Sequence, residues 1–197
     1  NGDIKHEKMG FSSDKYQDAV INNGSGNIAI KDNEFDNLKL KNVSGTVVIQ
    51  KSKIDMYDYE SNASILTMSE IESKYFNISA LNASQFTLTD LKAELYTFDL
   101  NAGYLNVSKI VGDVNIVKSL SNMTFSELIG DIKGNIENST LSVYNSVFDI
   151  MDVDLINCNL DLDNVTIKNI DVVCHKVQAF PFQVLKDVKK PLLKHRL

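Results

Sequence analysis

Between Thr46 and Gly103 one pattern of 19 or 20 residues is written three times: TVVIQKSKIDMYDYESNAS, ILTMSEIESKYFNISALNAS and QFTLTDLKAELYTFDLNAG. Each copy opens on an alternating apolar pair (Val47/Ile49, Leu66/Met68, Phe86/Leu88) and carries a second pair later (Tyr57/Tyr59, Phe76/Ile78, Tyr96/Phe98). Each closes on asparagine followed by small residues. A unit this short cannot bury its own apolar face. A fixed period near twenty therefore requires successive copies to stack into a coiled repeat.

The pattern can be laid out as coils 26–45, 46–64, 65–84, 85–103, 104–122, 123–139, 140–158 and 159–175. The first apolar pair continues through all of them, as Ile28/Ile30 at the start and Leu105/Val107, Met123/Phe125, Leu141/Val143 and Leu160/Leu162 towards the end. Such alternation is a strand signal with one apolar face. A third apolar residue follows three later, at Ile71, Leu91, Ile110, Leu128 and Val165. That offset changes face in a straight strand, so the chain must bend there. Asn42, Asn62, Asn82, Asn101, Asn122, Asn138 and Asn157 mark a recurring turn, where asparagine tolerates left-handed backbone. The residue inside each first pair (Ala29, Val48, Thr67, Thr87, Asn106, Thr124, Ser142, Asp161) is mostly small and polar, as an outward position should be. Eight coils at a rise of ~4.8 Å predict a rod of about 38 Å.

In period and pattern the chain resembles right-handed parallel β-helix and other β-solenoid proteins. The expected fold is therefore an all-β parallel solenoid of about eight coils over residues 26–175. A weaker resemblance is to leucine-rich repeats, whose strand consensus matches Ile150-x-x-Val153-x-Leu155-x-x-Cys158-x-Leu160 and Leu95-x-x-Phe98-x-Leu100-x-x-Gly103-x-Leu105. An antiparallel β fold is a third reading. Residues 1–25 lack the repeat and read as an N-terminal cap, with a short helical turn over 14–20. Residues 176–197 are basic and place Phe182, Leu185, Val188 and Leu192 on one helical face, which predicts a C-terminal helical cap. The alternative is a basic amphipathic segment for a membrane or partner.

Composition excludes some functions. The net charge of −6 argues against general nucleic-acid binding. No apolar run approaches the ~20 residues that span a bilayer. The chain begins at Asn1 with no signal peptide, which reads as a mature form or an excerpt.

Sequons begin at Asn23, Asn42, Asn62, Asn77, Asn82, Asn106, Asn122, Asn138 and Asn164, as in a secreted glycoprotein; a repeat rich in Asn and Ser also makes them by accident. Cys158 and Cys174 lie 16 residues apart, near one coil, so a disulfide pinning the last coil is expected; two reduced core cysteines are the alternative.

Tyr57, Tyr59, Tyr75, Tyr96 and Tyr104 mark a possible binding face for a protein or glycan. The ladder Tyr57/Phe76/Tyr96 reads equally as a core stack, which leaves Tyr75 as the best exposed ring. Asp152/Asp154 and Asp161/Asp163 could converge on calcium, although solvated turn carboxylates are the default. The Thr67/Thr87/Thr124 column resembles that of ice-binding solenoids but lacks their doubled threonine. No catalytic, cofactor or metal motif stands out: the histidines lie near the ends and Arg196 is the only arginine. The expected function is a secreted, non-enzymatic interaction protein. A carbohydrate-active β-helix enzyme or a leucine-rich recognition domain are the alternatives.

Overall fold

The computed structural model describes the backbone at residues 4–6, 16–175, 182–186 and 191–196, and side chains from 17 to 175. Every strand pairing is parallel, and about eight coils stack with like positions in register. Ile28 lies against Val47, Leu66 against Phe86, Phe86 against Leu105, and Leu105 against Met123. The rest of the first-pair file follows the same register.

Each coil has a corner at a left-handed residue, and Asn138 and Asn157 are left-handed at the closing turn as well. Asp32, Lys51, Glu70, Asp90, Lys109, Glu127, Asn145 and Asn164 all have φ between 49° and 56°. This corner explains the three-residue apolar offset. Met68 points inward, Ser69 and Glu70 point out, and the turn brings Ile71 back into the core. The second strand buries the file Tyr57, Phe76, Tyr96, Val114. Its rings stack from coil to coil, with centroids 4.9 Å apart for Tyr57–Phe76 and 5.6 Å for Phe76–Tyr96. Full burial of such side chains is worth ~1.5–3 kcal/mol each, so this interior file is a main source of stability.

The coil closes through a tight turn whose inward phase holds only small residues: Gly26, Gly45, Ser64, Ser84, Gly103, Ser121, Ser139 and Cys158. At Gly103 (φ 131°) an added Cβ would stand 2.0 Å from the Ser84 carbonyl oxygen, which is why bulk is excluded there. The asparagine turns bond in pairs rather than in one ladder. Asn82 donates to Asn62, and Asn157 donates to Asn138 at 2.8 Å.

Four expectations are corrected. Among the described residues there is no helix, so neither the 14–20 turn nor the C-terminal helical cap exists as such. Tyr16–Asn23 is a strand paired with residues 35–42, and Ile4–His6 pairs with Ile28–Ile30. Phe182–Lys186 and Pro191–Arg196 are strands continuing the solenoid above residues 162–166 and 170–175. The spacing Phe182/Leu185 is the same offset of three that marks the corner in Leu162/Val165; it also fits one helical face, which is how a coil imitated a helix. The remainder of 176–197 lies outside the described residues.

The leucine-rich reading also fails. Its consensus at 150–160 runs from a second strand, through the turn, into the next coil's first strand. Finally, no disulfide joins Cys158 and Cys174; both thiols are free and buried. One coil here is 19 residues, not 16, so Cys174 stacks on Leu155.

Candidate functional site: an uncharged face and a charged corner groove

The outward residues of the first strand form three files. Their middle rungs are Ile65–Thr67–Ser69, Gln85–Thr87–Thr89, Tyr104–Asn106–Ser108, Asn122–Thr124–Ser126 and Thr140–Ser142–Tyr144. All of these side chains are partly or fully exposed. Residues 61–69, 80–89, 100–108, 119–126 and 138–144 contain no Lys, Arg, His, Asp or Glu at all. Every lysine, aspartate and glutamate between 46 and 158 falls instead on the corner, the second strand or its edge. Charges on that side bridge coils, as in Lys74–Asp55 at 2.9 Å and, one coil beyond this range, Lys168–Asp149 at 2.6 Å. Five rungs of three residues make a face of about 19 Å by about 13 Å. The uncharged stretch ends abruptly at Asp161 and Asp163, which stack on Ser142 and Tyr144 in the next coil.

The face is built from small hydroxyl and amide side chains, with Ile65, Gln85 and Tyr104 standing taller along one border. Thr89 and Ser108 share a hydrogen bond across coils at 3.2 Å. At the far end the Tyr144 hydroxyl donates to Asp161 at 2.9 Å.

Beside this face, a groove of about 880 Å³ follows the outside of the left-handed corner. One wall is the corner file Asp32, Lys51, Glu70, Asp90, Lys109, Glu127; the other is Glu34, Lys53, Glu72, Lys92, Val111, Ile129. Its upper rungs alternate in sign, and Lys51, Lys53, Lys92 and Lys109 make no ion pair among the described residues. The corners beyond the groove, Asn145 and Asn164, carry the residue that tolerates left-handed backbone best and bond to each other at 2.7 Å. Lys51, Glu70, Lys109 and Glu127 hold the same geometry at a cost of about 1 kcal/mol each. Charge at the groove is therefore kept against local backbone preference.

The five tyrosines named from sequence do not share a surface. Tyr57, Tyr59 and Tyr96 are interior, and burial raises the pKa of each hydroxyl, well above its ordinary value at Tyr57 and Tyr96. The Tyr59 hydroxyl is hydrogen-bonded to Ser64 at 2.7 Å inside a buried serine cluster with Ser61 and Ser84. Tyr75 (44% exposed) stands on the second-strand side in file with Leu95, whereas Tyr104 (57% exposed) borders the uncharged face.

Of the sequons, Asn23 and Asn42 are buried and bonded to each other at 2.9 Å, so neither has room for a glycan in this fold. Asn62 and Asn77 are half-buried, and Asn77 donates to Asp58 at 2.8 Å. Asn82, Asn106, Asn122, Asn138 and Asn164 are exposed. The two aspartate pairs do not converge: Asp154 lies 3.7 Å from His175 on a second strand, while Asp161 receives Tyr144 on a first strand. Among the described residues no group of three or more His, Cys, Asp or Glu is placed to hold a metal ion, and no helix is long and apolar enough to cross a membrane.

Sequence reading missed the uncharged face. Its signal is an absence at a fixed phase of the repeat, which a search for enriched residue types passes over. Compared with known proteins, the chain matches no family model, no curated protein and no solved structure.

Proposed function

We propose that this chain is a secreted, non-enzymatic interaction protein that presents its uncharged side as an extended contact face to a protein or glycan partner, in adhesion, host interaction or scaffolding. The observation that carries this reading is the segregation of charge. A solvated surface of a protein that is 23% charged ordinarily carries both signs interspersed, yet five successive coils omit them from one side. Leaving out charge lowers the desolvation penalty of contact along that whole side. The same omission supports a non-enzymatic role, since glycoside chemistry needs paired carboxylates and general acid–base chemistry a titratable group near pH 7. Exposed sequons at Asn82, Asn138 and Asn164 support secretion. The face reading requires Asn106 and Asn122, which both stand in it, to be unmodified.

The test is binding of the intact protein to an array of cell-surface proteins and glycans, comparing Thr87→Lys with Met56→Lys. Thr87 is in the face and Met56 is exposed on the second-strand side. Binding lost in the first and kept in the second supports the face; equal behaviour rejects it. Secretion is tested separately by the mass change of the natural protein on N-glycan removal.

A further inference from the structure

Resting on that reading of the face, we infer that its ligand is a neutral, extended β-linked polysaccharide lying along the solenoid axis. Three features of the face point to this chemistry. First, its central files (Thr67/Thr87/Asn106/Thr124 and Ser69/Thr89/Ser108/Ser126) consist of groups that donate and accept hydrogen bonds alike. Sugar hydroxyls do the same, so each side satisfies the other without fixed charge. A polyanion or polycation finds no counter-charge here and would pay desolvation without return.

Second, the face offers few of the large anchors on which protein partners concentrate binding energy. Small side chains in straight files suit many shallow, repeated contacts instead. The tall border supplies one exposed ring, Tyr104, whose amphipathic face stacks on the apolar face of a pyranose. Third, the files repeat at the strand spacing of ~4.8 Å. A pyranose ring is similar in length to that interval, so each sugar of an extended β-linked chain lies over about one rung, with every second sugar presenting the same face.

The experiment is affinity electrophoresis of the full chain through gels containing hydroxyethylcellulose, which is neutral, or carboxymethylcellulose, which shares its backbone but is anionic. Retardation by the neutral polymer and not by the anionic one is expected. Thr87→Lys and Tyr104→Ala should each weaken it by about tenfold, and Met56→Lys should leave it unchanged. All three positions point outward, and unchanged melting curves show that the variants fold. No retardation by the neutral polymer, or retardation indifferent to Thr87→Lys, overturns the glycan assignment. If a protein partner on the array is lost in Thr87→Lys but kept in Met56→Lys, the face stands and the glycan falls. Thermal hysteresis of ice growth without polymer binding also overturns the glycan. A glycan found on Asn106 or Asn122 of the natural protein overturns face and glycan together.

Discussion

Cys174 stacks directly on Leu155, one coil below it, while Cys158 falls three residues further on, in the small-residue phase of the turn beside Ser139. The two thiols thus stand in different files. Burial pushes the Cys174 thiol up to about 11, with the charges of Asp154 and Cys158 adding to it, and burial also raises Cys158. Neither carries thiolate at neutral pH. Thiol titration should therefore find no fast-reacting cysteine in the native protein and two in the denatured, unreduced chain. A denatured chain with no free thiol would show a bridge.

Stability should fall at alkaline pH. Cys174 rises from 9.0 to about 11, and Tyr57, Tyr59 and Tyr96 rise above 10.0, in each case chiefly through burial. The folded state keeps these protons where the unfolded chain has released them. Their contribution is complete below about pH 9 and is lost as pH climbs from there through 11 and beyond. Melting temperature should be flat from pH 7 to about 9 as far as these groups are concerned, and then decline steadily.

Two neighbouring tyrosines should respond in opposite directions to loss of the hydroxyl. The Tyr57 hydroxyl is buried with no hydrogen-bond partner among the described residues, whereas Tyr59 is bonded to Ser64. Tyr57→Phe should stabilise by about 1 kcal/mol and Tyr59→Phe destabilise by about 1 kcal/mol or more. Urea unfolding of the pair measures both.

At the corner, Lys51→Asn and Lys109→Asn should each raise stability by about 0.5–1 kcal/mol, because asparagine accepts φ near 50° more readily than lysine. Asn164→Val should lower it by more, since a β-branched side chain is strained there and the bond to Asn145 is lost. Chemical denaturation compares the three.

Much of this architecture is legible in the sequence because it is periodic. Pairs such as Leu66/Met68 and Phe86/Leu88 announce a strand, and the return of Ile71 and Leu91 three residues later announces the bend. Where periodicity was ambiguous, reading failed. Phe182/Leu185 satisfies both a corner and a helix, and only pairing with Leu162 and Val165 decides between them. The 16 residues between Cys158 and Cys174 approximate a coil but miss the true register by three, enough to move a side chain across the turn. Alternation shows that Tyr57 and Tyr59 share a face, but not that this face is the interior. The uncharged side exists only once coils are superposed, since it is distributed over short windows none of which is unusual alone.

The central claim is that first-strand residues of successive coils lie in straight outward files. Paired spin labels at Thr67→Cys and Ser142→Cys, in a Cys158→Ser/Cys174→Val background, test it most directly. Four coil rises separate these positions, so a single narrow distance near ~19 Å is predicted. A broad distribution, or a distance far longer with no component near ~19 Å, would contradict the stacking, and the uncharged face would disperse with it.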